Sequence, residues 1–379
     1  MIEKKYWLCL TALRHRRFIE DAMHAVGLPM GARLRLRYRR PYVSERLWAH
    51  VAHGRSIEGD SAIICLAATS NSGCNVVRPV RLAEVVGASC EGSVLVLDVS
   101  LSSFVRKTSS NGLFWENVRK LAPGLTDNFN YVSGKDTKYL ERLTLDSAAL
   151  ETCEDIAGWE AAAASFFEVE SIGCQQGDDR VSGLVPFLFY IAGLGSGVRK
   201  RLQESGYIRM EAGQSLSMDV HTIAAPGADA LKDPLGEICF DLSHSSASFE
   251  SSRRVRIDSR RDVRVVKFTT SALFRTVGGH LSIRSVSFCH SLPADAKSCN
   301  GLTSAKKREE IALARYDFPM KVGRVMPWVA SFMVASAAGA AAYKAPTGSS
   351  NNYYHFILPV IVFALAFIGL ILGFKSDKK

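Results

Sequence analysis

The densest run of chemistry-bearing residues is ARLRLRYRR, residues 32–40, in which Arg33, Arg35, Arg37 and Arg39 alternate with Leu34, Leu36 and Tyr38, and Arg40 follows. In a strand, successive side chains point to opposite faces, so the spacing predicts a buried Leu/Tyr row and four guanidinium groups in a line. Along one face they repeat at about 6.6 Å, close to the phosphate spacing of an extended single strand of nucleic acid. A row of like charges repels itself and calls for a partner. That partner is a polyanion, or an acidic face of this chain or a neighbouring copy such as residues 141–180; the third reading is a row exposed to solvent alone. A second basic stretch, SSRRVRIDSRRDVRVVKF from Ser251 to Phe268, also alternates as strands: Val255 and Ile257 with Arg254 and Arg256, then Val263 and Val265 with Arg264. Asp258 and Asp262 temper its charge, which favours a mixed-charge exposed sheet; an extension of the anion site is its other reading. Arg199 and Lys200 follow the glycine-rich loop Gly193 to Gly197, whose backbone N–H groups suit a phosphate. That loop lacks both the P-loop and the dinucleotide fingerprints, and a plain connection between sheet segments is its other reading.

Other chemistry finds little support. His50 and His53 are three apart, yet no Cys, Asp or Glu follows at ligand spacing, so neither a metal nor a cofactor is expected. There is no G-x-S-x-G, no H-E-x-x-H and no conspicuous carboxylate pair. Asp258 and Asp262 beside Arg260 and Arg261 leave a nuclease as a minor alternative. The nine cysteines include no C-x-x-C and fit a reducing compartment.

The elements needed to position these residues follow from periodicity. Residues 1–110 predict a mixed α/β unit, with strands over Tyr6–Leu13, Arg33–Tyr42, Ala62–Ala67, Val76–Val86 and Ser93–Val99 and a helix over Arg17–Val26. A turn is expected at Glu91-Gly92. Residues 111–180 predict a mostly helical, acidic segment with helices over Leu113–Leu121, Lys138–Leu143 and Glu154–Phe167. Residues 181–300 predict short strands in a sandwich-like unit. Lys306–Tyr316, in the linker 301–323, predicts a charged helix, and residues 324–379 predict a transmembrane helical hairpin. The expected fold class is thus α+β with two membrane spans at its C-terminal end.

The hairpin rests on two 19-residue uncharged runs, Val325–Tyr343 and Phe356–Phe374, each about 28 Å long as a helix. Lys321, Arg324, Lys375, Lys378 and Lys379 flank them, which predicts an inner-membrane protein with both termini cytoplasmic. Ser331, Ala335 and Gly339, with Ser336 beside them, form a small-residue stripe. It reads either as a packing seam or as the wall of a pore lined by several copies. Charge is also segregated. The chain carries a formal net charge of +10, with 47% apolar and 22% charged residues, which excludes wholesale disorder. Residues 1–40 hold ten basic and three acidic side chains, whereas residues 141–180 hold two basic and ten acidic.

In layout, a large basic sensor region ending in a two-helix hairpin resembles the membrane effectors of prokaryotic anti-phage defence. It is most similar to the channel effector of the Hailong type, over about 55 residues of hairpin plus the basic strand. The resemblance implies a homo-oligomer of four or more copies in a lipid bilayer, conducting ions under control of an oligonucleotide or nucleotide ligand. Single-stranded DNA is one candidate ligand, and a partner nucleotidyltransferase is its implied source. The other function consistent with the sequence is a membrane-tethered scaffold for nucleic acid or protein, with the hairpin as an anchor.

Overall fold

In the computed structural model, residues 3–13, 16–69, 75–105, 140–146, 151–174, 185–194, 198, 202, 204–211, 214–226, 234–243, 247–258, 261–270, 277–288 and 310–322 are described. Tyr6–Leu10 and Ala62–Ala68 are buried at every position. Such unbroken runs suit central strands covered on both faces. They lie in β1 (Glu3–Ala12) and β3 (Ser61–Thr69), which pair in parallel. The crossover between them carries α1 (Arg16–Gly27), β2 (Arg33–Arg39) and α2 (Glu45–Ala52). With β4 (Asn75–Glu91), β5 (Val94–Val105) and β6 (Leu140–Asp146), the main sheet runs β2-β5-β4-β3-β1-β6; β7 (Thr152–Cys153) pairs with β5. Gly92, at φ 61°, closes the β4–β5 hairpin at a conformation that favours glycine.

Three α-helices of eight residues or more are found among the described residues, besides the 3-10 turn at Arg40–Tyr42. The first, α1, buries Ile19, Ala22, Met23 and Val26, the i, i+3, i+4, i+7 set of an amphipathic helix. The third, α3 (Ile156–Cys174), buries Trp159, Ala162, Ala163 and Phe166 on the same pattern and packs across β3, β4 and β5.

The remaining strands form two further sheets. One has the order β12-β14-β10-β8, built from β8 (Phe187–Ala192), β10 (Ser215–Ala224), β12 (Ala247–Phe249) and β14 (Arg261–Thr270). The other has the order β13-β11-β15-β16-β9, built from β9 (Ile208–Met210), β11 (Gly236–Leu242), β13 (Arg254–Ile257), β15 (Val277–Phe288) and β16 (Glu310–Val322). Helix α1 is the wedge between all three sheets, packing on β1 and β2, on β8, and on β16.

Several expectations are corrected. The described protein is predominantly β-sheet, not α+β with a helical insert and a membrane hairpin. The helix expected at Lys138–Leu143 gives way to β6, which pairs antiparallel with β1 from Glu3 to Cys9. The linker helix expected at Lys306–Tyr316 gives way to β16, whose Leu313, Phe318, Met320 and Val322 are buried and which is hydrogen-bonded along β15. Its Glu, Ala, Leu and Arg favour a helix in isolation, but a long cross-strand ladder outweighs that weak local preference. The two-span inner-membrane placement is corrected as well: among the described residues no helix is long and apolar enough to cross a membrane. The runs 325–343 and 356–374, with Ser331, Ala335, Ser336 and Gly339, lie outside the described residues, as does the helix expected at Leu113–Leu121.

Candidate anion-binding surface

Strand β2 adopts the predicted alternation. Leu34, Leu36 and Tyr38 are at most 3% exposed, while Arg33, Arg35, Arg37 and Arg39 are all exposed. The strand is an edge of the main sheet, bonded on one side to β5 with Arg33 opposite Ser100, Arg35 opposite Asp98, Arg37 opposite Val96 and Arg39 opposite Val94. Directly opposed residues share a face. The same face continues onto β4, where Glu84 opposes Ser100 and Glu91 opposes Val94. Among the described residues, the acids that the register places on the face of the row are Asp98, Glu84 and Glu91 from neighbouring strands.

The four arginines divide into two kinds. Arg35 donates to both oxygens of Asp98, Nε to Oδ1 at 2.8 Å and Nη2 to Oδ2 at 3.1 Å. Asp98, with a smaller contribution from Glu91, stabilises its charged form further. Arg33 is committed at the junction with the five-stranded sheet: its carbonyl accepts the Tyr316 hydroxyl, and its side chain packs onto Gly206. Nearby, Glu20 on α1 accepts the Arg315 backbone N–H at 3.2 Å, and the His24 and Tyr316 rings meet edge to face at 5.5 Å. By contrast, Arg37 and Arg39 form no ion pair among the described residues. The strand expected to reach Tyr42 ends at Arg39, and Arg40 opens a 3-10 turn over Arg40–Tyr42, its guanidinium 5.5 Å from the centre of the Trp48 ring and 3.9 Å from Glu45.

The second basic stretch is divided between two sheets. Arg254 and Arg256 belong to β13, whereas Arg264 belongs to β14 and is held by Asp262 at 2.8 Å. Val263 and Val265, on the opposite face of β14 from Arg264, are 54% and 47% exposed. On β13, Arg254 pairs with Glu237 at 3.3 Å and Arg256 with Asp258 at 3.4 Å. Two arginines that sequence reasoning passed over join them. Cys239 lies in register with both Arg254 and Arg284, and Arg284 lies directly opposite Arg315. Three guanidinium groups thus span four strands, within about 15 Å. This line and the β2 row do not merge: Arg33 lies at the β9/β16 edge, and β13 is the opposite edge, about 19 Å away. Arg199 and Lys200 lie outside the described residues. No group of three His, Cys, Asp or Glu suited to a metal occurs among the described residues.

Fold and site together define a predominantly β-sheet protein with an arginine-lined edge strand. No protein-family model matches the chain, and no curated protein does. Solved structures that match include a family 123 glycoside hydrolase from Clostridium perfringens, at 7% identity over 42% of this chain and 34% of that one. Another is the native conformation of E. coli alpha-2-macroglobulin, at 9% identity over 60% of this chain and 12% of that one. Both TM-scores are 0.21, too low for either likeness to bear on this chain's fold or function.

Proposed function

We propose that the chain binds a single-stranded oligonucleotide or a closely related polyanion along β2, through Arg37, Arg39 and Arg40. The observation that carries this reading is the pair Arg37 and Arg39: neighbours on one face of an edge strand, exposed, and without an ion pair among the described residues, Arg37 acting only through space on the buried Asp21. Two such cations about 6.6 Å apart match successive phosphates of an extended strand. Trp48, half-buried beneath Arg40, adds an aromatic surface of the kind on which bases stack. Contacts of this sort are made to phosphate and to ring faces, so they bind a strand without reading its sequence.

The test is the double replacement Arg37→Gln with Arg39→Gln, measured by fluorescence anisotropy with a labelled single-stranded oligonucleotide. Each phosphate contact contributes about 0.7 to the slope of log affinity against log salt. The double variant is expected to flatten that slope by about 1.4. Unchanged affinity and an unchanged slope would remove β2 as the site.

A further inference from the structure

Helix α2 points to a second site. Its positions 46, 50 and 53 follow i, i+4, i+7, so Arg46, His50 and His53 line one face. Opposite them are Trp7 of β1 and Arg142 of β6, directly paired in the sheet. Between the two walls is a cleft of about 480 Å³. Arg55 completes it through the way α2 ends. The Gly54 N–H bonds the Val51 carbonyl and the Arg55 N–H bonds the His50 carbonyl, with Gly54 at φ 70°. This is the glycine-closed helix ending that turns the chain back over its last turn, and it returns Arg55 to the cleft.

Among the described residues no acid lines this cleft. Asp60, just outside it, is occupied in positioning its wall: it accepts the Trp7 indole N–H at 2.9 Å and pairs with Arg142 at 3.4 Å. Arg142 is thereby held over the Trp7 ring, 5.0 Å from its centre. Arg46 and Arg55 have no ion pair among the described residues. A cation at the C-terminal end of α2 would also offset the helix dipole, which gives Arg55 a purely structural role. That account fails for Arg46, which lies in the first turn, where the dipole disfavours a cation, and for Arg142, which is on another element.

We infer that this cleft binds a phosphomonoester, its dianion held by Arg46, Arg55 and Arg142. The volume falls in the range of pockets for small organic ligands, so the group it accepts is a phosphorylated small molecule. A sugar phosphate and a nucleoside 5′-monophosphate share this chemistry. The site is separate from β2 and does not depend on the oligonucleotide reading.

The experiment is calorimetric titration of the full chain with inorganic phosphate, glucose 6-phosphate, a nucleoside 5′-monophosphate and unphosphorylated glucose. The phosphate-bearing compounds are expected to bind with dissociation constants below about 1 mM, and glucose not to bind. Equal affinity for the two esters would identify the phosphate as the whole determinant; preference for one would identify its source, and both outcomes support the site. Arg46→Gln and Arg55→Gln should each weaken binding about tenfold, or about 1.4 kcal/mol. Arg46→Lys should retain most of the affinity, and Arg37→Gln with Arg39→Gln should retain all of it. Absence of binding by every phosphate compound, binding of glucose equal to that of its phosphate, or indifference to both Arg46→Gln and Arg55→Gln would overturn the inference.

Discussion

Asp98→Asn is the perturbation that most sharply separates the two kinds of arginine on β2, because it should improve binding. Asp98 holds the Arg35 guanidinium through two hydrogen bonds, with the two side chains 35% and 56% exposed. An exposed pair of this kind contributes about 0–1 kcal/mol, so the amide, equal in size, should leave the fold in place. For binding, two effects add. A carboxylate about 7 Å from a bound phosphate repels it by about 0.6 kcal/mol at the dielectric constant of water. The released Arg35, one strand repeat from Arg37, attracts the next phosphate by a similar amount. Together these give about 1.2 kcal/mol, or about sevenfold tighter binding at low salt. Pairing of the released Arg35 with one more phosphate should also steepen the salt slope by about 0.7. Anisotropy of a labelled oligonucleotide over a salt series reads both quantities. Weaker binding in Asp98→Asn, with the melting temperature unchanged, would refute the reasoning, because it would mean that the ligand requires Arg35 in its paired position.

Two further predictions concern the scaffold beneath the row. Arg81, 1% exposed, donates to the carbonyls of Ala25, Leu28 and Ser102 at 2.9, 2.6 and 2.8 Å and lies 4.2 Å from the centre of the Phe104 ring, tying the end of α1 to β4 and β5. Burial lowers it to about 10, so it remains charged at neutral pH. Arg81→Met would leave three carbonyls unpaired at about 1–3 kcal/mol each, and urea unfolding should show a loss of about 3 kcal/mol or more; a loss below about 1 would contradict the assignment. The second prediction is a pH dependence. Burial raises the Asp21 carboxyl to about 7, partly countered by Arg17 and Arg37 and reinforced by Glu20. An acid raised in the folded state favours folding below its unfolded value and loses that contribution as pH rises from about 4 to 7. Glu170, also raised to about 7 by burial, acts in the same sense. His24, lowered to about 4 by burial, acts oppositely, its contribution present above about 6.5 and lost as pH falls toward 4. Asp21→Asn should therefore gain stability over the parent between pH 4.5 and 7.5 by a few kcal/mol, and a pH-independent difference in urea midpoint would discard this account.

The parts of this protein legible in its sequence are those fixed by local alternation. Arg33–Arg39 could be read as a strand with buried Leu and Tyr because no other conformation separates those residues so cleanly from the arginines. Strands β1, β3, β4 and β5 were legible for a related reason, being apolar runs bounded by turn residues. What failed was decided by partners distant in sequence. The segment Glu310–Tyr316 has helical composition and becomes a strand only because β15 lies beside it. Helix α2 was not anticipated, since Glu45–Ala52 is short and buries only Leu47 and Val51, too few positions for a period to emerge. In β14 alternation alone left the buried face open: Val263 and Val265 point outward, because that face is set by Val266 and Phe268 further along the strand.

The same distinction governs the charges. A count of side chains treats Arg33, Arg35, Arg37 and Arg39 as equivalent, and only register tells them apart. Arg35 is withdrawn because β5 places Asp98 opposite it, and Arg33 because β16 and Gly206 close over the start of the strand. Conversely, Arg254, Arg284 and Arg315, far apart in sequence, come into line because Cys239 and the β15–β16 ladder set them in register. Arginines directly opposed across a ladder destabilise the sheet, and the observed carboxylates, Glu237 and Asp317, relieve the outer two while none among the described residues relieves Arg284. The positive charge of this chain is thus largely neutralised where it meets structure. Among the described residues it remains without a paired carboxylate at Arg284, at Arg37 with Arg39 and at Arg46 with Arg55, and an anion bound at either of the last two places would neutralise charge that the fold itself does not.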